Sequence, residues 1–462
     1  MKTCHISFIR DCIDKQDLPS LRNTCQELHP ADLADVIEQA SEQASLREMV
    51  FLLENLDPEY ASRVLYHAAP DYPARIVPAL SDESLSRIIN EMSSDDRVDL
   101  LQRVSGERKE MLMHMLAKAE REDILKLESY REGTAGAIMT SDYAALNPDI
   151  TAARAIEKLR LEAPDKETIY YAYVIGADRR LLGTVSLRDL ILARPGTPIR
   201  KLMYTDPVCV KVGDHQEDVA RKIRKYDLLA IPVTNDNDAL AGIITHDDIH
   251  DVLEEEATED FHRFGGMRHD VPGVGINISD ASFMTMLRKR LPWLLVLIFM
   301  NIFSGAGIAY FENTIEAVVA LVFFLPLLID SGGNAGSQSA TLMIRALAIG
   351  DVKIRNWFRL LGKEVAVAIG IGVAMGLAVS LIGIFRAGPE VAVVIAVTMV
   401  FTVLFGSLVG MSLPFILTRF RMDPATASAP LVTSIADIGG VLIYFSIASW
   451  YLSDIIAAAN VA

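Results

Sequence analysis

No lysine or arginine lies in the interior of any of the long apolar runs, so a carboxylate placed there has no basic partner along those runs. The 4 cysteines, Cys4, Cys12, Cys25 and Cys209, include no CxxC-type spacing, which argues against a zinc or disulfide framework and suits a reducing cytosol. The first residues form no apolar h-region, so no cleaved signal peptide is expected. No GxxxxGKS/T loop is present, so no nucleotide-driven pump is expected, and nothing points to an enzyme. Basic residues are in deficit, 44 Lys and Arg against 60 Asp and Glu. Nucleic acid needs basic patches and is therefore excluded as a partner.

The deficit is uneven. Residues 1–270 hold 33 Lys and Arg against 50 Asp and Glu, whereas the remainder holds 11 against 10. An acidic soluble half thus precedes a near-neutral apolar half. Such acidity suits multivalent cations, or it serves solubility alone. At 462 residues the chain is too long for one domain.

Residues 1–130 read as a stack of short helical hairpins. Leu56-Asp57-Pro58-Glu59, Leu80-Ser81-Asp82-Glu83 and Met92-Ser93-Ser94-Asp95-Asp96 each place a capping residue ahead of acids in a first helical turn. Apolar residues follow at helical spacing, as in Leu85, Ile88, Ile89 and Met92. Acids at helix starts are also ordinary partners of the helix dipole.

Residues 131–253 contain a duplication, with copies at about 138–191 and 202–253. Each has a helix (152–159 and 217–223) and a strand (171–175 and 230–233). Gly183-Thr184-Val185-Ser186-Leu187-Arg188-Asp189 then matches Gly242-Ile243-Ile244-Thr245-His246-Asp247-Asp248 in register. This pattern resembles a tandem cystathionine-β-synthase (CBS) pair. In that family the Ser/Thr and Asp often hold the ribose of an adenine nucleotide, which makes Ser186, Arg188 and Asp189 nucleotide candidates. The alternative is a pair with a purely structural role.

Residues 254–280 read as an acidic connecting helix and a linker. Asp251 to Asp260 is helix-favouring, and Gly265, Gly266, Pro272, Gly273 and Gly275 break it. Five apolar runs follow in a membrane domain at 281–462, placed at 291–311, 315–342, 363–385, 391–418 and 428–452, each near the ~20 residues that span a bilayer. Arg288, Lys289 and Arg290 precede the first, Arg345, Lys353, Arg355, Arg359 and Lys363 fill the second connection, and Arg419 and Arg421 fill the fourth. The first connection has only acids and the third has Arg386 with Glu390. Positive charge marks the cytoplasmic side, so a multi-pass inner-membrane protein with a cytoplasmic N-terminus and an external C-terminus is expected.

Two stretches stand out. Ala429-Pro430-Leu431-Val432-Thr433-Ser434-Ile435-Ala436-Asp437-Ile438-Gly439-Gly440 places Asp437 alone between Asp423 and Asp454 as an ionisable group other than tyrosine. A mid-membrane carboxylate costs roughly 2.5–3.5 kcal/mol on insertion scales and usually faces a bundle interior or water. Asp330-Ser331-Gly332-Gly333-Asn334-Ala335-Gly336-Ser337-Gln338-Ser339-Ala340-Thr341 puts glycine and amides inside the second run, where they need either a hydrated path or tight packing.

In this order, the acidic helices, CBS pair, acidic connecting helix and both membrane motifs resemble the MgtE family of magnesium channels over essentially the whole chain. The resemblance implies an all-α N-terminal domain, α/β CBS domains and a five-helix membrane domain. It implies a homodimer in the lipid bilayer, with a pore on the two-fold axis lined by the second and fifth spans and an ion site at Asp437. Asp330, Asn334 and Thr341 are the further pore candidates. It also implies regulatory Mg²⁺ that closes the gate through the connecting "plug" helix. The sensor ligands would be Asp95 and Asp99, then Glu217, Asp227, Asp248 and Asp251, then Glu256, Glu259 and Asp260. The chain departs from some members at Ser337, Ala429 and His215. Mg²⁺, retained water and one or two carboxylates fit together chemically. An ion-coupled transporter of Mg²⁺, Co²⁺, Ni²⁺ or Mn²⁺ is the alternative, and a membrane-anchored nucleotide sensor is the third reading.

Overall fold

The computed structural model describes residues 12, 15, 17–41, 46–68, 71–267, 282–348, 351–352, 357–420 and 422–459. They form two compact units, one built from the chain up to Glu256 and the other from Ala257 onward.

The first unit opens with helices α1 (Leu18–Glu27), α2 (Pro30–Ser41), α3 (Leu46–Asn55), α4 (Pro58–His67), α5 (Asp71–Ile76), α6 (Asp82–Asn90), α7 (Ser94–Gln102), α8 (Gly106–Met115) and α9 (Lys118–Glu128). Asp57 caps α4 as its sequence requires, accepting from the Glu59 N–H at 3.1 Å, with Pro58 next. Ser81 and Ser93 occupy N-cap positions without making the cap bond. At α7 the start is held instead by Asp142, whose Oδ2 accepts from the Ser94 N–H at 3.1 Å. The packing is not a set of simple hairpins. α2 packs on α4, α4 on α6 and α6 on α8, each helix meeting the next but one. Two guanidiniums, Arg97 buried and Arg108 half-buried, brace the stack. Arg97 donates to the carbonyls of Ile89, Asn90 and Met92, and Arg108 to those of Val77 and Leu80.

The CBS half contains β1 (Tyr143–Leu146), α10 (Ala152–Glu162), β2 (Thr168–Ile175), β3 (Leu181–Ser186) and α11 (Leu187–Leu192), followed by β4 (Val210–Lys211), α12 (Gln216–Tyr226), β5 (Ala230–Thr234), β6 (Leu240–Thr245) and α13 (His246–Phe264). Each copy builds a three-stranded sheet, β1-β2-β3 or β4-β5-β6, with one parallel and one antiparallel pairing. The lead-in segments cross over. Thr140, ahead of the first copy, exchanges both backbone hydrogen bonds with Ile243 of β6 (2.8 and 2.9 Å), and Tyr204, ahead of the second, does the same with Thr184 of β3 (2.7 and 3.0 Å). Each copy thereby covers the other's sheet edge, where unpaired backbone would otherwise be left open. This crossing explains the duplicated glycine. A Cβ on Gly183 would stand 2.5 Å from the Tyr204 carbonyl oxygen, and one on Gly242 2.6 Å from that of Thr140.

The helical stack and the second CBS copy share one continuous core, running from Leu21 and Leu33 through Leu101 and Ile124 to Val219, Ile231 and Ile244. The acidic half is therefore one body. The connecting helix starts earlier than expected, at His246, and ends at Phe264; most of the linker, 268–281, lies outside the described residues.

The second unit holds five helices long and apolar enough to cross a membrane: Phe283–Tyr310 (α14), Val319–Ala348, Trp357–Ala387 (α17), Pro389–Arg419 (α18) and Ala429–Tyr451 (α19). Short α15 (Glu312–Ala317) precedes the second, whose α-helical part is α16 (Leu325–Ala348), and α20 (Ser453–Ala459) closes the unit. Their ends correct the expected bounds. α14 begins eight residues early and takes in Arg288, Lys289 and Arg290, and the second span starts at Val319, after a break, rather than at 315. Charged side chains at a helix end can reach water while their backbone stays helical, so an apolar window underestimates the helix. The connection between α17 and α18 shrinks to Gly388, at φ 89°.

α18 is the hub, packed on α16, α17 and α19. Its contact with α16 is backbone on backbone. A Cβ on Gly406 would overlap the Gly332 carbonyl, and one on Gly410 that of Gly336. Where lipid removes the usual drive for helix association, such contact supplies packing energy instead. Gly406→Ala should lower the melting temperature of the purified protein in detergent, since the obstacle is rigid backbone. Gly370→Ala, whose Cβ meets nothing within 4 Å, should melt as the parent or slightly above it.

Candidate functional site

In the membrane unit, α19 starts at Ser428, whose side chain accepts from the Leu431 N–H at 3.4 Å, with Pro430 in the first turn. The helix carries Asp437 against the glycines of α16. Asp437 Oδ1 is buried, has no hydrogen-bond partner, and lies 3.6 Å from where a Cβ of Gly333 would stand. Thr433 Cγ2 lies 2.8 Å from that same point, so a larger residue at 333 would force the two helices apart. One turn away, Thr433 donates to the Ala429 carbonyl at 2.9 Å, and its Oγ1 is 3.2 Å from Ser337 Oγ.

α16 presents Asp330, Asn334, Ser337 and Thr341 at intervals of 4, 3 and 4 residues, which places them on one helical face. Asp330, Asn334 and Thr341 are exposed in the single chain and Ser337 is half-buried. Asn334 Nδ2 donates to Asp330 Oδ2 at 2.9 Å, and Thr341 donates to the Ser337 carbonyl at 2.7 Å. A polar stripe thus runs along an otherwise apolar span, beside a carboxylate with no basic partner.

The soluble unit carries a second gathering of acids. A cleft of about 1000 Å³ is lined by Tyr66, Asp96, Asp142, Glu167, Asp247 and Asp248, among others. Asp95 and Asp96 come from the first turn of α7 and Asp248 from the first turn of α13, where Thr245 donates to it from both N–H and hydroxyl. Asp95 is raised above the ordinary carboxylate range by burial, and one of its oxygens has no hydrogen-bond partner. Asp96 and Asp248 are each pushed up to about 8, first by burial and then by Asp95. Asp99 reaches about 6 and Glu167 about 7 for the same two reasons, although both keep one side open to solvent. Arg97 and Lys166 offset this at Asp142, which burial still leaves raised.

The expected sensor residues are only partly brought together. Asp248 lines the cleft, the Asp95 charge adds to burial in raising both Asp99 and Asp248, and Asp251 stands one turn on from Asp248, raised by burial and then by Glu254. Glu217 and Glu256 form a separate pair, Glu217 being raised by burial and then by Glu256, which itself accepts from Gln216 at 2.6 Å. Asp227 is the left-handed C-cap of α12, at the far end of that helix from Glu217. Glu259 is engaged by Arg263, which also pairs with Asp423, the cap of the turn entering α19; Asp260 lies in the same last turns of α13. Asp96, Asp142, Glu167 and Asp247 are cleft residues that sequence reasoning missed. Asp96 adjoins Asp95 and Asp247 adjoins Asp248 in the chain, so both could have been found; Asp142 and Glu167 carry no local motif. Among the described residues no three His, Cys, Asp or Glu side chains converge to enclose a bare metal ion. The all-oxygen donor set fits a hard cation that keeps part of its water. At the first CBS copy Ser186 caps α11, accepting from the Asp189 N–H at 3.0 Å and donating to Asp189 Oδ2 at 2.6 Å, with Arg188 exposed beside it.

Known proteins share this arrangement. The family described as "Divalent cation transporter" (MgtE) matches residues 325–447, the "MgtE intracellular N domain" matches 28–133, and the CBS domain matches 135–196 and 199–255. The magnesium transporter MgtE of Thermus thermophilus is 41% identical over 350 residues, 75% of this chain and 76% of the relative, and that of Enterococcus faecalis is 37% identical over 72% of each. The crystal structure of the soluble part of a magnesium transporter matches at TM-score 0.52 and 30% identity, covering 56% of this chain and 100% of its own. That of the cytosolic domain of the Mg²⁺ channel MgtE in complex with ATP matches at TM-score 0.51 and 34% identity, covering 54% and 99%. The class is a membrane transporter of divalent cations with a helical N-terminal domain and a CBS pair. The chain belongs to the MgtE family.

The raised carboxylates give a signed pH dependence. A group whose pKa is higher in the folded state contributes stability that is complete below its unfolded value, here about 3.8, and is lost as pH rises through its folded value, about 8 for Asp96 and Asp248. The metal-free protein should therefore melt progressively lower between pH 5 and pH 8.5 (values set by these limits, roughly). The Asp96→Asn, Asp248→Asn double variant should lose most of that slope, as read by thermal unfolding in chelator.

Proposed function

We propose that the protein conducts Mg²⁺ across the membrane into the cytosol, down its electrochemical gradient, and that Mg²⁺ held between cytosolic carboxylates closes the path. The observation that carries this reading is the exposed stripe of Asp330, Asn334, Ser337 and Thr341 on α16 beside the unpartnered Asp437 oxygen on α19. Polar groups cannot be left facing hydrocarbon. A second copy across a two-fold axis would cover the stripe and line water with two Asp437 carboxylates. A hydrated Mg²⁺ needs little more than such charge and retained water. A divalent ion gains about 4.6 kcal/mol per 100 mV on moving inward, so no further driving force is required. The basic residues at the start of α14, between α16 and α17, and before α19 support a soluble unit and N-terminus in the cytosol and a C-terminus outside.

Regulation follows from the cleft. Bare like charges at about 4 Å repel by roughly 4 kcal/mol at an effective dielectric near 20. Mg²⁺ between Asp95, Asp99, Asp248 and Asp251, and between Glu217 and Glu256, would reverse that sign. α13 carries Asp248 and Asp251 in its first turns and Arg263 in its last, where Arg263 holds the Asp423 cap of the segment entering α19. Fixing this one helix is how occupancy would be passed to the pore segment. The relative solved with ATP supports an adenine nucleotide at Ser186, Arg188 and Asp189. A second intramembrane carboxylate, Asp330, favours one competing reading, an ion-coupled carrier of Mg²⁺ or of Co²⁺, Ni²⁺ or Mn²⁺.

In proteoliposomes, Asp437→Ala should abolish Mg²⁺ flux or its selectivity, and Asp437→Asn should weaken divalent block of monovalent current; parental selectivity in both would overturn the pore assignment. Flux driven by voltage alone supports the channel, whereas a fixed stoichiometry with H⁺ or Na⁺ supports the carrier. Combined Asp248, Asp251, Glu256, Glu259 and Asp260 to Ala substitution should leave the path open at high Mg²⁺, and Mg²⁺ should then no longer slow proteolysis within 255–275. Closure and protection equal to the parent's would place the gate elsewhere.

A further inference from the structure

The four polar side chains on the α16 stripe are not equivalent. The hydroxyls of Ser337 and Thr341 are tied to neighbouring backbone or hydroxyl oxygens, Thr341 donating to the Ser337 carbonyl, and a hydroxyl oxygen can still accept whichever way its proton turns. The Asn334 amide is different, because it has a donor end and an acceptor end and can turn only one of them outward. Its Nδ2 is bound to Asp330 Oδ2 at 2.9 Å. An ionised carboxylate accepts and cannot donate. The amide must therefore turn its nitrogen to Asp330, one helical turn back, which leaves Oδ1 as the free end on the exposed stripe.

We infer that Asp330 is a positioning residue for ion selection: it locks the Asn334 amide so that its oxygen, rather than its nitrogen, faces the passing cation. The inference rests on the pore reading above and assigns a task within that path. A hydrated divalent ion presents water hydrogens on every side, and a lining that recognises it must accept hydrogen bonds. A reversed amide would present N–H groups to those hydrogens and to the ion's charge. A charge-assisted hydrogen bond biases one orientation by roughly tenfold or more. Asp437 needs no such help, because both carboxylate oxygens accept. Asp330 and Asp437 thus do different work although both are acids. The first acts through a neighbour, and the second faces the ion itself.

The test is a double-variant cycle on the full-length protein in proteoliposomes, with the Mg²⁺-to-K⁺ permeability ratio as readout and Asp437→Ala as control. Asp330→Ala and Asn334→Ala should each lower the ratio by a similar factor, about tenfold, and the double variant should fall no further than Asn334→Ala alone. Asp330→Asn, nearly isosteric, should give an intermediate ratio, because its amide can serve Asn334 as donor or acceptor; this variant also covers misfolding of Asp330→Ala. Elution volume and melting temperature of these variants should match the parent. Multiplicative losses in the double variant would make Asp330 an independent charge and overturn the inference, as would a parental ratio in both Asp330→Ala and Asp330→Asn. An Asp437→Ala protein with parental selectivity would overturn the pore reading itself, a result separable from either.

Discussion

A carboxylate taken out of water must be met by a proton, a base or a metal ion. This chain withholds the base. In the membrane unit the lysines and arginines of the spans stand near the helix ends, and none of the described ones pairs with Asp437. In the soluble unit Arg97, which lines the acidic cleft, is spent on three backbone carbonyls, and the cleft's other basic residues, Arg63 and Lys166, are outnumbered by its acids. Protons or cations remain. The raised Asp96 and Asp248 are what the protein does in the absence of a cation, and a divalent ion is the natural replacement for those protons. One chemical condition thereby governs both places, so the ion proposed to pass through the membrane is also suited to report its own abundance.

The connection between the two places is one helix. α13 starts among the cleft carboxylates and ends with Arg263 held by Glu259 and Asp423. Glu259 was expected as a metal ligand, yet here a guanidinium engages it. An ion at Glu259 would have to compete with Arg263, which pairs with Asp423 through its other terminal nitrogen. The last turns of α13 are therefore not interchangeable with its first turns, where Thr245 rather than a guanidinium holds Asp248. In the proposed cycle, ions that bind one arrangement only stabilise that arrangement, and the helix transmits the choice.

Much of this was legible in the sequence. Periodicity and caps revealed the helices of the first 130 residues, the in-register Gly183 and Gly242 segments revealed the CBS duplication, and apolar length revealed five spans. The span ends were misplaced because Arg288, Lys289 and Arg290 look like a boundary while their backbone is helical. The shared core between the helical stack and the second CBS copy was invisible, since it depends on contacts between residues as distant as Leu101 and Ile244. The lone Asp437 was legible because an apolar run makes any charge conspicuous. Asp142 and Glu167 were not, because an acid in a soluble acidic half looks like any other until the fold buries it. The Asn334–Asp330 bond has the spacing of a helix turn, but only coordinates show which end of the amide it engages.

The exchanged lead-ins of the CBS pair set an order of events during synthesis. The first sheet has its own three strands once Ser186 has left the ribosome, yet its β3 edge stays open until Tyr204 emerges. The second sheet takes its cover from Thr140, made about a hundred residues before Ile243. Neither copy has both sheet edges covered alone, and the core of the helical stack is completed only by the second copy. The last contacts of the soluble half can thus form only shortly before the first hydrophobic span is made. A nascent chain stalled between these points would expose both a sheet edge and half a core, which gives the quality-control machinery of the cell a narrow interval in which to recognise a failed copy before membrane insertion commits it.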